Sequence, residues 1–328
     1  MNAPIIVTGP DRSGTTLMFA LLASHPRISM SRRTNMWRWF FGRFGDLAQP
    51  ENLQQCLEVM LRYHRLAQLE PDPDRIVREF LAGEPSYGRL FGLFHEHHAE
   101  KLGKPRWGDK SLHTEHFAGQ ILQDFPRAKI IHMMRDPRDR QASVSRRYAT
   151  RRKGIGAITG RWILSTRRGE RNLQLRPDNY MIVRYEDLAR FPGETLVDVC
   201  DFIDEDYDPA MLAMHGAPQH GDEGNSSFER IEPGVISTGS IGRWRSVLSP
   251  REIASIQAMT RGRMRANGYR LESMSMSLAD RVRFGFGQLP YDTARMVGWL
   301  VTHGRRERRG GDIPAQRLQP DPVSGQGG

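Results

Sequence analysis

The stretch Ile5-Ile6-Val7-Thr8-Gly9-Pro10-Asp11-Arg12-Ser13-Gly14-Thr15-Thr16 decides the fold. Ile5–Thr8 is a short β-branched run between Pro4 and Gly9, the pattern of a buried strand. Beyond it, Leu17, Met18, Leu21 and Leu22 recur at helical spacing within Thr15–Ser24. A strand, a glycine-bearing turn and a helix make half of a βαβ unit. The turn has G-x-x-x-x-G spacing, with Thr15 where a P-loop carries lysine. It still suits an anion: Gly14 lets the backbone pass close, and successive N–H groups make a nest at a positive helix end. Thr15 and Thr16 add hydroxyl donors, and Arg12 supplies a cation from inside the loop. Kinases and NTPases use the missing lysine with Mg²⁺ on the β- and γ-phosphates, so its absence argues against ATP hydrolysis.

Outward from this turn, the pattern predicts strands at 128–134 and Tyr180–Val183, each followed by a helical pattern, over 137–152 and 192–203. Residues 51–103 read as mostly helical, with breaks around 71–73, 83–88 and 103–105. Ser249-Pro250, with Glu252 in the first turn, opens a helix over 250–266. Alternating strands and helices predict an α/β fold: a central, mostly parallel sheet flanked by helices.

The chain has 328 residues and a net charge of +10. No run of about 18 apolar residues exists to span a bilayer. The N-terminus has no basic stretch leading into a long apolar one, and Cys56 and Cys200 are the only cysteines, so a cytoplasmic, reducing compartment is expected. Residues 135–176 hold 13 Lys and Arg against three acids, a surplus equal to that of the whole chain; the remainder balances at 35 against 35. Such a local surplus points to an anionic ligand or to a solvated basic helix.

After the second strand comes Arg135-Asp136-Pro137-Arg138-Asp139-Arg140-Gln141-Ala142-Ser143. Arg135 stands at a strand's carboxyl end, where open α/β sheets bind ligands, and Ser143 about two turns into the next helix. Together they offer a second phosphate a forked guanidinium and a hydroxyl. From Pro4 to Tyr269 the chain resembles the sulfotransferases that use 3′-phosphoadenosine 5′-phosphosulfate (PAPS), most of all their broad bacterial branch. Pro10–Thr16 is similar to the family's 5′-phosphosulfate loop, Arg135 and Ser143 to its 3′-phosphate pair, and Tyr185-Glu186-Asp187-Leu188 and Gly239-Ser240-Ile241-Gly242-Arg243-Trp244 to further family segments. The resemblance implies a P-loop-like sulfotransferase fold, PAPS as donor and PAP as product without a metal. It implies nucleotide contacts from Arg12, Ser13, Gly14, Thr15, Thr16, Arg135, Ser143, Tyr185, Ser240, Gly242 and Arg243.

The implied reaction is in-line transfer of a sulfuryl group to a hydroxyl or amine of a small-molecule, glycan or lipid acceptor, with no covalent enzyme intermediate. Arg12 and Lys110 are the implied groups that neutralise charge around the transferred group. Relatives often carry a base histidine two residues after that lysine; here Leu112 stands there and His113 comes one later. A one-residue slip on a strand would reverse the side chain, so Asp109 and His116 stay open beside His113. The branch acting on protein tyrosines carries a glutamate soon after the first helix, whereas Ser31-Arg32-Arg33-Thr34 has no acid.

The resemblance implies a sulfotransferase domain over 1–275, with 34–104 a mostly helical insertion that caps the acceptor side. A helical extension is expected over 276–303, and a disordered Arg-, Gly- and Pro-rich tail over 304–328. The aromatic run Trp37-Arg38-Trp39-Phe40-Phe41 reads mainly as core, and His95-Glu96-His97-His98 as a solvated helix rather than a metal site. Residues 278–309 have the composition to touch an anionic membrane, although Gly285, Gly287 and Pro290 argue against a continuous helix. The competing functions are a basic nucleic-acid-binding protein, which has no recognised motif here, and a P-loop kinase lacking its lysine.

Overall fold

In the computed structural model, residues 3–147, 154–217, 235–307 and 318 are described. Five strands, Ile5–Thr8 (β1), Ile28–Arg32 (β2), Arg106–Lys110 (β3), Lys129–Met134 (β4) and Tyr180–Arg184 (β5), form one sheet. Its order is β2-β3-β1-β4-β5 and every pairing is parallel. The fold class is the expected one. The predicted strand at 128–134 starts at Lys129, and that at 180–183 runs on to Arg184.

Strand alternation divides the core. Ile5, Val7, Ile131 and Met133 face helix Thr15–Ala23 and helix Pro192–Ile203. Ile6 and Ile130 face the aromatic core of Trp37, Trp39, Phe40 and the 50–101 helices. That second layer is the helical crossover between β2 and β3: Pro50–Arg62, His64–Ala67, Pro73–Leu81 and Tyr87–Lys101, broken around the predicted 71–73 and 83–88 and also, unpredicted, at the extended Tyr63. Helix Pro250–Ala266 begins with a full capping box, Ser249 and Glu252 each bonding the other's backbone N–H.

The structure departs from the sequence reading in three places. β2 and β3 were not predicted, because their sequences, ISMSR and RWGDK, lack an apolar run. Their charged side chains are satisfied by distant groups: Arg106 donates to the carbonyl of Ala3 at 2.8 Å and pairs with Glu205 at 3.0 Å. The second half of the basic stretch is a long helix, Ile155–Leu175. The expected helix over 137–152 is seen as Pro137–Arg147, and 148–153 lie outside the described residues.

The third departure is at the C-terminus, where Gly285, Gly287 and Pro290 do not interrupt helical structure. Leu278–Arg283 runs through a π-helical turn, Phe284–Gln288, into Leu289–Glu307. The turn absorbs the glycines, and Pro290 falls in the first turn of the last helix, where proline is tolerated. This helix lies directly on Ile155–Leu175. A Cβ on Gly156 would come 2.0 Å from the Asp292 carbonyl oxygen, and one on Gly160 3.1 Å from the Trp299 ring. Asp292, itself buried, accepts from Ser255 Oγ at 2.7 Å. Among the described residues no helix is long and apolar enough to cross a membrane. The tail expectation falls outside the described residues beyond Glu307, except at Leu318, which bridges to Tyr63.

Because the two helices touch backbone to backbone, Gly156→Leu should lower stability by about 1–3 kcal/mol through overpacking. Chemical denaturation measures the loss, and limited proteolysis should then cut first in 276–307.

Candidate active site

β1 and β4 are neighbours in the sheet, and the chain leaves β1 in one direction and β4 in the other. The loops after them therefore meet at a topological switch point, the crevice where such sheets bind ligands. Gly14 holds φ +90°, and a Cβ there would come 2.6 Å from the Tyr185 ring, so the turn needs glycine on both counts. Arg12 Nε donates to Ser143 Oγ at 2.9 Å, which brings the two expected phosphate elements into direct contact.

Arg135 is seated from three sides. Its Nη1 donates to the Arg12 carbonyl at 3.2 Å and its Nη2 to the Ser240 carbonyl at 2.7 Å. Its guanidinium also lies 4.2 Å from the Tyr185 ring centre, a cation–π contact. The Asp139 carboxylate accepts the backbone N–H groups of Gly242 at 2.7 Å and Trp244 at 3.0 Å, pinning the 240–244 segment over Arg135; Arg243 is half-buried within it. Glu186 accepts from the Asp136 N–H at 2.8 Å and from the Tyr269 hydroxyl at 3.2 Å, which fixes the turn after Arg135.

The first part of the basic stretch is not solvated. Arg135, Arg138 and Arg140 are all buried. Arg138 pairs with Asp136 at 2.6 Å and stacks on Trp244 at 4.1 Å. Arg140 donates to the Asp11 carbonyl at 2.8 Å and its carboxylate at 2.5 Å, and to the Ile158 carbonyl at 2.9 Å. Burial alone would raise the Asp11 pKa, but the charges of Arg140 and Arg161 hold it well below the carboxylate range.

Lys110, expected beside the transferred group, ends β3 with its Nζ donating to Thr16 Oγ1 at 3.2 Å. It is 3% exposed, so it is no ordinary surface lysine. Burial, followed by the charges of Arg33, Arg32 and Arg12, pulls its pKa down to about 7 against the opposing pull of Asp109. Ser13 Oγ and Arg135 Nε are buried and find no hydrogen-bond partner among the described residues. Crowded cations, unpaired donors and a helix N-terminus fit a small ligand carrying more than one anionic group.

His113 stands just outside this cluster. β3 ends at Lys110 and His113 adopts a left-handed conformation, φ 67°, at the start of the Thr114–Phe117 turn. Strand alternation therefore does not govern its direction, and the slip relative to the expected position loses its force. Its Nδ1 lies 3.9 Å from Glu115 Oε1. Glu115 was not singled out by the sequence reading. Its carboxylate accepts from Thr8 Oγ1 and from Ser165 Oγ, both at 2.6 Å. Burial would raise its pKa, yet His113, His132 and Ser165 hold it well below the carboxylate range. The other two candidate bases have different surroundings. Asp109 accepts from Ser111 Oγ at 2.6 Å, its pKa pushed up to about 6 by burial. His116 is exposed with its ring 4.9 Å from that of Phe117. His95, in the histidine-rich helix, is a core residue stacked on Trp107.

A profile of the sulfotransferase family matches residues 4–209, more than half of the chain. An uncharacterized protein of Aquifex aeolicus (strain VF5) is 26% identical over 254 residues, 74% of this chain. A protein-tyrosine sulfotransferase of Drosophila melanogaster is 27% identical over 223 residues, 63% of this chain. The matched regions cover only 30% and 39% of those two proteins. The sulfotransferase domain of the Synechococcus PCC 7002 olefin synthase superposes with a TM-score of 0.55 at 22% identity, covering 83% of this chain and 98% of that domain. The sulfotransferase domain from the curacin biosynthetic pathway gives a TM-score of 0.53 at 20% identity, covering 83% and 99%. The profile spans all five strands and the loops that carry Arg12 and Arg135, and the chain belongs to the sulfotransferase family.

Proposed function

We propose that the protein is a PAPS-dependent sulfotransferase acting on a hydroxyl or amine of a small-molecule, glycan or lipid acceptor. The observation that carries this reading is the pairing of two basic loops at one switch point, with Arg12 touching Ser143 and Arg135 bonded to the Arg12 carbonyl. When bound, the nucleotide supplies the activated sulfuryl group and leaves as PAP. In this reading Ser13, Thr15, Thr16 and the N–H groups around Gly14 hold the 5′ side. Arg135 and Ser143 hold the 3′-phosphate, with Tyr185 and the Ser240–Arg243 segment closing over them. Arg12 and Lys110 stabilise negative charge between the two sides, as preorganised cations do in phosphoryl transfer.

His113 is the proposed base, and Glu115 the positioning residue that orients its imidazole and stabilises the imidazolium formed as it takes the acceptor's proton. The 34–104 helices would cap the acceptor side. The tyrosine sulfotransferase of Drosophila is a family relative, but Ser31–Thr34 offers no carboxylate base, so protein tyrosine is not the acceptor class favoured here.

PAP at about a hundred times its Kd should stabilise the protein by about 2.7 kcal/mol, a melting shift of several degrees, with ATP and Mg²⁺ far less effective. A larger shift with ATP would favour a kinase. Binding tight to nucleic acid, steeply salt-dependent and indifferent to PAP, would favour the basic-protein alternative.

Lys110 should gain a proton when an anion arrives. With its pKa at about 7 in the free protein, Lys110 is largely neutral at pH 8. A bound anion raises that pKa, so PAP binding at pH 8 should take up close to one proton. Calorimetry in buffers of different ionisation enthalpy measures it, and Lys110→Met should abolish it.

His113→Ala should lower kcat by about 10²–10⁴ with PAP affinity unchanged. Glu115→Gln should lower kcat with little change in acceptor KM and shift the pH–rate profile. Full activity in His113→Ala would return the assignment to Asp109 or His116.

A further inference from the structure

Helices Leu278–Arg283 and Leu289–Glu307, joined by the π-helical turn, keep one side bare. Asp292, Met296 and Trp299 meet Gly156 and Gly160, which fixes the inner side of the last helix. At about 100° per residue, Ala294, Val297 and Val301 fall opposite them, and all three are exposed. Leu278, Val282 and Phe286 follow one another at four-residue steps and also face outward: Leu278 is 79% exposed and Phe286 88%. Phe286 stands between Gly285 and Gly287, and a Cβ on either glycine would meet nothing within 4 Å. The ring is thus carried out beyond the protein surface. Single exposed apolar side chains are ordinary, but a row of six along one helical segment marks a binding surface.

Cations accompany the row. Arg281 and Arg283 stand on either side of Val282, and Arg295 beside Ala294; all three are exposed and none makes an ion pair among the described residues. Two acids lie on the same segment. Asp280 faces Arg251 at 3.6 Å, and Asp292 is buried with Ser255 Oγ on its carboxylate. The sequence at the end of the segment adds Arg305, Arg306, Arg308 and Arg309 against Glu307. The bare side is therefore apolar along its middle and positive beside it. A twofold pairing of this side with itself would bring like charges together. An anionic bilayer surface suits both parts: the acyl boundary takes the apolar row, and lipid phosphates take the arginines.

We propose that the segment 278–307 docks the protein on an anionic lipid surface. It lies in the plane of the interface, with Leu278, Val282, Phe286 and Val297 inserted at the headgroup boundary and Arg281, Arg283 and Arg295 on lipid phosphates. Gly285, Gly287 and Pro290, which argue against a continuous helix in the sequence, lie within continuous helical structure and leave the row unbroken. The contact is peripheral, and it is independent of the chemistry at His113.

The test floats the full chain with vesicles of phosphatidylcholine alone and of phosphatidylcholine mixed with phosphatidylglycerol. The mixed vesicles should bind about tenfold more tightly or better, since each arginine near an anionic surface adds about fivefold. Phe286→Ser combined with Val282→Ser should weaken that binding by about tenfold or more, through the lost apolar insertion. Arg281→Gln combined with Arg283→Gln should weaken it by about tenfold and make it less sensitive to salt. All four side chains are exposed, so both double variants should melt close to the wild type. Failure to bind the mixed vesicles, or equal binding to both kinds, overturns the proposal. Binding that salt abolishes and the serine variant keeps in full also overturns it, leaving only a basic tail. So does a concentration-dependent dimer, seen by sedimentation, that the serine variant dissolves, because the row then belongs to a second copy.

Discussion

Arg140 donates at once to the carbonyl and the carboxylate of Asp11, and from the same guanidinium to the Ile158 carbonyl of the long helix. The turn after β1 would otherwise be free to take many shapes, since it carries three residues at positive φ, Gly9, Arg12 and Gly14. This side chain, 1% exposed, fixes the turn against both the helix after β4 and helix Ile155–Leu175. Removing one partner of such a buried pair costs about 3–5 kcal/mol, because the other charge is left without compensation. Asp11 also meets Arg161, and Arg161 meets Trp299. The proposed nucleotide loop and helix Ile155–Leu175 are thus joined through one carboxylate.

Around that anchor the protein gathers positive charge. Arg12, Arg32 and Arg33 lie near enough to Lys110 to help burial bring its pKa to about 7. Acids lie among these cations: Asp136 pairs with Arg138, Asp139 holds the Gly242 and Trp244 N–H groups, Glu186 holds the Asp136 N–H, and Glu115 bridges Thr8 to Ser165. Held by these N–H donors, Asp139 and Glu186 fix the segments that seat Arg135.

Much of this was legible in the sequence because it is local. The strand–turn–helix around Gly9–Thr16, the Arg135–Ser143 spacing and the Ser249–Glu252 cap each lie within a window of about a dozen residues. β2 and β3 were not legible: Arg106, Asp109 and Lys110 are charged residues buried through partners such as Glu205, Ser111 and Thr16, most of them remote in sequence. The helix over 155–175 hides behind Gly156, Gly160 and Gly169, which lower helix propensity yet are the positions where other groups approach most closely. Glu115 carried no sequence signal, since Thr8 and Ser165 stand 107 and 50 residues away from it. The one-residue offset of His113 read as a defect only while the chain was assumed to continue as a strand.

The central claim is that one site holds two separated phosphates, with Arg135 on the 3′ group. Calorimetric titration of PAP and of adenosine 5′-monophosphate into the wild type and Arg135→Ala tests it as a thermodynamic cycle. Loss of the 3′-phosphate should weaken wild-type binding by about ten- to a hundredfold and should matter little in the variant. An equal loss in both proteins would contradict the account.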